Sequence, residues 1–303
     1  MNTQLLDEIR RQGSLELIAR QLVEGFITGL HKSPYHGFSV EFAEHRLYNE
    51  GQSTRHIDWK IYARTDRLFT KQYEEETNLR CLLAIDCSSS MFYPAPQHDK
   101  LKFSLYCGSA LAYLLHKQRD AVGLCLYSDK IDEWTAIRST RSHLDKIFGS
   151  LQRLQDQGVQ GQKRTDIAKV LHEVAEKIHK RSLVVIFSDM FEQTDQADQL
   201  FKALQHLKHN RHEVILFHVT DHQTELDLDL QNRPYEFVDL EDGSRVRLNP
   251  SEIRNSYQQQ LLSFHNYLKL RCGQIKVDFI SVDAQTDYFE VLQAYLIKRT
   301  KMH

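Results

Sequence analysis

Nothing in this 303-residue sequence approaches the run of about 18 to 20 consecutive apolar residues that a bilayer-spanning helix needs. The N-terminus sets Asp7, Glu8, Arg10, Arg11 and Glu16 among its leucines, which excludes both the apolar centre of a signal peptide and the acid-poor composition of a transit peptide. A cytoplasmic protein is expected. Net charge is nearly absent too: 39 Lys and Arg against 41 Asp and Glu leave −2, giving no overall field for nucleic acid or an anionic membrane. Only local basic clusters, such as Lys177, Lys180 and Arg181, favour such partners. Five cysteines, Cys81, Cys87, Cys107, Cys125 and Cys272, are odd in number and form no C-x-x-C pair, so neither a disulfide framework nor a thiolate zinc site is expected. There is no G-x-S-x-G elbow, no internal repeat and no low-complexity segment.

What is present is an ordinary globular composition, 41% apolar and 26% charged, long enough for one large or two ordinary domains. Residues 1–31 carry apolar positions at helical spacing, with a break at Gly13 and a stop at Ser33-Pro34. Residues 46–64 mix Arg, Asp and Trp in neither a strand nor a helix pattern. A physical account is a clamp in which Arg55 or Arg64 forks onto Asp58 and stacks on Trp59, fastening this segment to the domain C-terminal to it. Such a clamp serves folding more readily than binding. Residues 68–73 read as strand, and Glu74-Glu75-Glu76 as a solvated turn or an acidic contact patch. The expected organisation is an N-terminal helical and clamp extension over 1–78 and a main domain over 79–303.

From residue 79 onward strand and helix patterns alternate, which argues for a parallel sheet covered on both faces. Strands are expected at 79–86, 121–128, 183–187, 213–220 and 275–282. The segment from Lys130 to Ile137 comes too soon after its predecessor for a crossover, so it should return as an antiparallel edge. Helices fill 101–115, 142–154, 165–178 and 196–209. Residues 235–248, turning through Asp242-Gly243, read as an inserted hairpin. Asn249-Pro250-Ser251-Glu252 then starts a long helix with N-cap, proline and Glu in place, and a helix over 288–298 closes the chain. The predicted fold is α/β, a doubly wound, mostly parallel six-stranded sheet with an antiparallel edge strand.

In such a sheet ligands bind beyond the carboxyl ends of the strands, where strand order reverses. Asp86-Cys87-Ser88-Ser89-Ser90 leaves the first strand there, Thr165 precedes a helix, and Asp189 ends a later strand. Asp86, Ser88, Ser90, Thr165 and Asp189 offer only oxygen, which selects Mg2+, or Mn2+, over zinc or copper. Hydroxyls bound directly, with the acids direct or through water, leave a coordination position open for a partner's carboxylate. Each residue also has a plainer reading, a helix cap for Asp86, the serines or Thr165 and a turn residue for Asp189.

Asp-x-Ser-x-Ser, then Thr and Asp further along the chain, resembles the metal-ion-dependent adhesion site (MIDAS) of von Willebrand factor type A domains, over residues 79 to about 298. Tyr48, Gly51, Arg55, Ile57-Asp58-Trp59, Ala63-Arg64, Lys71 and Glu76 resemble the bacterial domain-of-unknown-function family fifty-eight, whose members carry such a domain. Where that family has acidic residues after the glycine, Gln52-Ser53 stand here, which argues against a ligand role at that place. The resemblance implies a non-enzymatic partner of MoxR-type AAA+ ATPases or of their client proteins. It also implies a short form without the membrane helices that many members carry ahead of this region.

Other signals point elsewhere only weakly. Gly158 to Thr165 lacks the spacing and the preceding strand of a phosphate loop. His206, His209 and His212 fit solvated residues at a helix end, favoured by its dipole, better than a metal site. Cys87 is a poor ligand for Mg2+ and reads as a small neighbour. The alternative function is a Mg2+-dependent phosphohydrolase using Asp86, against which stands Ser88 where such enzymes commonly place a second carboxylate.

Overall fold

The structure, a computed structural model, describes residues 14–31, 45–47, 62–64, 69–71, 79–95, 97–157, 166–190, 197–228, 230, 233–240, 243–286, 288 and 291–295. The chain divides into two compact units, residues 1–27 with 79–303, and residues 28–78. Helix α1 (Leu15–His31) begins in the larger unit, where Leu15 N donates to Gln152 Oε1 at 3.2 Å and Glu16 pairs with Arg141. In the smaller unit β1 (His45–Leu47) pairs antiparallel with β2 (Phe69–Lys71).

The larger unit is built on β3 (Arg80–Asp86), β4 (Ala121–Tyr127), β5 (Ile131–Arg138), β6 (Leu183–Ser188), β7 (Glu213–Thr220) and β10 (Asp278–Asp283). They lie in the order β10-β7-β6-β3-β4-β5, parallel except for β5. The chain therefore works outward from β3 to β5, then returns across β3 to build β6, β7 and β10, and the order reverses between β3 and β6. β5 is antiparallel because only Ser128, Asp129 and Lys130 separate it from β4, too few residues for a crossover. Continuous apolar runs make the central strands: Cys81 to Ile85 and Leu183 to Phe187 are fully buried on both faces.

Helix α2 (Asp99–Lys117) comes after β3, and α3 (Arg141–Gln157) after β5. Next come α4 (Ile167–Lys177), α5 (Ala197–His209) and α6 (Pro250–Gln274). Val170 and Leu171 of α4, Phe201 of α5 and Leu268 of α6 share one core with Leu82 and Val184. Ile85 points to the opposite face, since strand side chains alternate, and there α2 presents Gly108. A Cβ at Gly108 would lie 3.0 Å from Ile85 Cδ1, so the missing side chain lets α2 settle close against the strand that carries Asp86.

The mostly parallel six-stranded sheet and its antiparallel edge match expectation; several boundaries differ for physical reasons. Helix α4 starts at Ile167 because Asp166 is its cap, the carboxylate accepting from Lys169 N at 3.0 Å. Strand β10 starts at Asp278, three residues later than expected, because Ile275 and Lys276 are used to turn out of α6. Asn249 caps α6 by backbone geometry, its side chain instead accepting from Ser251 Oγ at 3.2 Å. The inserted hairpin is present as β8 (Tyr235–Val238) and β9 (Arg245–Leu248). Among the described residues no helix is long and apolar enough to cross a membrane.

Candidate functional site

Ile85 of β3 lies in register with Phe187 of β6, so Asp86 and Ser188 leave the sheet side by side at the reversal point. Asp86 is fully buried. Its Oδ1 accepts from Ser88 N at 2.9 Å and its Oδ2 from Ser188 Oγ at 2.8 Å. A 3-10 turn over Ser89–Phe92 folds the chain back, and Ser88 Oγ comes within 3.0 Å of Ser90 Oγ. Burial, then the charge of Asp189, pushes the Asp86 carboxyl up to about 7 against the hydrogen bonds of Ser88 and Ser188. Two acids are thus held where they repel each other.

Lys100, in the first turn of α2, is fully buried beside them. Its Nζ donates to Asp189 Oδ2 at 2.8 Å and also to Glu225 Oε1. Glu225 belongs to a π-helical turn, His222–Leu226, just beyond β7, and its Oε2 accepts from Asp221 N at 2.9 Å. Burial works to lower Lys100, but Asp189 and Glu225 outweigh it and hold the ammonium above its usual value. Glu225 moves up, because its own burial exceeds the help it receives from Lys100. His218 of β7, in register with Ser188, donates through Nε2 to Asp189 O at 2.9 Å, which fixes the tautomer because a carbonyl only accepts. Burial takes His218 down to about 4, so the ring is neutral at physiological pH. Among the described residues, Asp189 and Glu225 therefore share a single buried ammonium, and Asp86 stands beside Asp189.

The structure brings Asp86, Ser88 and Ser90 together as expected and sets Asp189 next to Asp86, with one Asp189 oxygen engaged by Lys100. Thr165 lies outside the described residues. Its neighbour Asp166 donates its backbone N–H to Ser128 O at 3.3 Å, anchoring the start of α4 at the carboxyl end of β4. Of the expected clamp, Arg55, Asp58 and Trp59 also lie outside the described residues, and Arg64 sits exposed in a helical turn over 62–64. Cys87 is buried with Sγ 3.5 Å from Ile85 O, and all five cysteines are buried with no disulfide between them.

The histidine trio is a correction. His212 is buried, not solvated, and its Nδ1 accepts from Ser182 N at 3.2 Å, joining the turns that open β6 and β7. His206 instead meets His172, Nδ1 to Nδ1 at 3.0 Å, and Glu176. Lys100, Glu225, Ser188 and His218 were not expected at the site. One signal for Lys100 was available: a lysine in the first turn of a helix opposes the dipole unless acids surround it. Glu225 had no local signal, its partner being 125 residues away.

Among the described residues no three His, Cys, Asp or Glu side chains converge as a metal site. The donors here are of another kind. The 3.0 Å between Ser88 Oγ and Ser90 Oγ equals the edge of an octahedron whose metal–oxygen bonds are about 2.1 Å long. Each Asp86 oxygen keeps a second lone pair beyond its hydrogen bond. An excess of buried negative charge stands beside these oxygens. The set fits a small hard cation, with Asp189 better suited to act through water because Lys100 holds its Oδ2.

The family described as "Protein of unknown function DUF58" matches residues 44–265. Uncharacterized proteins of Mycobacterium tuberculosis and Mycobacterium bovis are 24% identical over 178 residues, 58% of this chain and 55% of theirs. The chain thus spans about half the length of these relatives. Solved structures with some likeness include BatB from Bacteroides thetaiotaomicron, 14% identical, TM-score 0.44, over 74% of this chain and 99% of that one. An aerotolerance-related membrane protein from Bacteroides fragilis has 14% identity and TM-score 0.46 over the same shares. The SpRpn10 VWA domain has 8% identity and TM-score 0.38 over 71% of this chain and 94% of that one.

Proposed function

Because the chain belongs to the DUF58 family, whose function is unknown, we propose that it is a non-enzymatic interaction module. In this reading it binds a partner's carboxylate through Mg2+, or Mn2+, at the carboxyl edge of its sheet, and the partner is a MoxR-type AAA+ ATPase or that ATPase's client. The observation that carries the reading is the oxygen set of Asp86, Ser88 and Ser90, with seryl oxygens at ligand spacing. When bound, the cation supplies an open coordination position that attracts an anionic oxygen. The chain's own residues do the rest. Ser188 and the Ser88 backbone fix the Asp86 carboxylate, Lys100 holds Asp189, and the 3-10 turn presents Ser90.

Two features favour contact over turnover. Both Asp86 oxygens are tied by hydrogen bonds, which suits a ligand better than a nucleophile. The position two residues on is Ser88, which cannot serve as a carboxylate acid or base at neutral pH. The test is Mn2+ binding tracked by electron paramagnetic resonance, together with pull-down of the cognate ATPase in Mg2+ and in EDTA. Wild type should bind the metal and retain the ATPase only with Mg2+, and Asp86→Ala should lose both. Equal retention by both proteins with and without chelator would end the metal-bridge reading. Turnover of a phosphomonoester by wild type, lost in Asp86→Asn, would put the phosphohydrolase in its place.

A further inference from the structure

At the opposite, amino edge of the sheet every strand carries a basic residue. In spatial order these are Lys276 before β10, Arg211 before β7, Arg181 before β6, Arg80 at the start of β3, Arg119 before β4, and Arg138 at the end of antiparallel β5. All six are exposed. Register places them between the first paired level of the sheet and about three residues below it. With strands about 4.8 Å apart, the row runs some 24 Å.

Four of the six sit in a conformation that does not favour them. Arg119, Arg181, Arg211 and Lys276 have φ of 61°, 62°, 63° and 57°, each two residues ahead of its strand. For Arg119, Arg211 and Lys276 this is the left-handed position that closes a helix, and Arg181 takes the same φ four residues beyond α4; glycine is the usual occupant of such positions. The closing bonds repeat: Asp120 N to Leu115 O, His212 N to Leu207 O, and Val277 N to Cys272 O, at 2.9, 3.1 and 2.9 Å. Glycine would make the same turns without strain. The helix dipole favours a cation at a helix end, yet it does not account for Arg80 and Arg138, neither of which comes after a helix. Arg181 and Arg211 also converge, lining an open depression of about 500 Å³ with Lys180 and His209.

We infer that this edge is a second, metal-independent docking surface, and that its ligand is an acidic, extended segment of a partner protein. A 24 Å row suits about seven residues of extended chain at 3.3 Å each. A lipid surface fits less well. Interfacial binding joins charge to inserted apolar side chains, and among the described residues no exposed large apolar side chain lies in the turns of this edge. Nucleic acid fits less well too, since the depression formed by Lys180, Arg181, His209 and Arg211 offers no Phe, Tyr or Trp ring to stack a base. Acids are present at the edge but engaged: Asp120 is buried and accepts from Leu79 N, and Glu213 pairs with Lys208. The protein would then hold one acidic partner through a cation at one end of its sheet and another by direct charge at the other.

The test uses the full chain and a fluorescein-labelled octaglutamate, read by anisotropy in EDTA at about 50 and 300 mM NaCl. Wild type should bind at low salt, weaken at high salt, and be indifferent to chelator. Arg181→Gly/Arg211→Gly should bind about tenfold more weakly while melting at the same or a higher temperature, because glycine suits both turns. Lys130→Gln/Lys202→Gln, with two charges removed elsewhere, should bind as wild type does. No binding by wild type, equal loss in both double variants, or tighter binding to phosphatidylserine vesicles or oligo-dT than to the peptide would each overturn the inference. Chelator insensitivity separates this surface from the Asp86 site, so either can fail alone.

Discussion

Replacing Lys100 by Met offers the most direct test of the buried charge cluster. The ammonium is fully buried between Asp189, 2.8 Å away and 2% exposed, and Glu225, 9% exposed. Removing one member of a buried ion pair costs about 3–5 kcal/mol, because the partner is left as an uncompensated charge. Here two acids lose the same cation. Glu225, already raised by burial, can answer by taking a proton, which keeps the loss within that range at neutral pH rather than doubling it. Folded domains have about 5–15 kcal/mol in hand, so Lys100→Met should still fold. In urea at pH 7.5 with EDTA, its midpoint should fall by about 1–2.5 M for slopes of about 2–3 kcal/mol/M. At pH 5.5 the deficit should shrink, since Glu225, raised by burial, no longer needs the ammonium once it takes a proton. Lys100→Met/Glu225→Gln should recover part of the loss, and added Mg2+ should stabilise the single variant more than wild type. A deficit below about 1 kcal/mol at pH 7.5, or one equal at both pH values, would refute the assignment of Lys100 as the counter-ion.

Two further outcomes are expected. With Asp86 raised from 3.8 to about 7, the folded state holds a proton that the unfolded chain releases. Stability of the metal-free protein is therefore lost as pH rises through that interval, by at most about 4 kcal/mol; thermal melts in EDTA should show the slope in wild type and not in Asp86→Asn, and parallel slopes would count against the cause given. His212→Leu removes the acceptor for Ser182 N and should cost about 1–3 kcal/mol, read by urea denaturation, whereas a surface histidine at that position would cost almost nothing.

Much of the fold can be read locally, because parallel strands buried on both faces announce themselves as apolar runs. Cys81 to Ile85 and Leu183 to Phe187 are of that kind. Where boundaries slipped, a turn competed with a pattern: Ile275 looks like the first residue of a strand, yet Lys276 adopts φ of 57° to close the helix before it. Asp86, Ser88 and Ser90 are legible for the same reason, being neighbours on one loop. Asp189 is legible as an acid at a strand end, but its pairing with Lys100 and Glu225 is not, since an ion pair leaves no mark on sequence when its members are scores of residues apart. His212 shows the converse error: spacing alone grouped it with two histidines whose surroundings it does not share.

The shared ammonium also bears on how this chain can change over time. Lys100, Asp189 and Glu225 balance one another while almost wholly buried, so a substitution at any one of them leaves the other two miscounted. The three positions form one heritable unit. Related chains that keep the lysine should keep both acids, and those that lose it should have given up at least one acid in the same lineage.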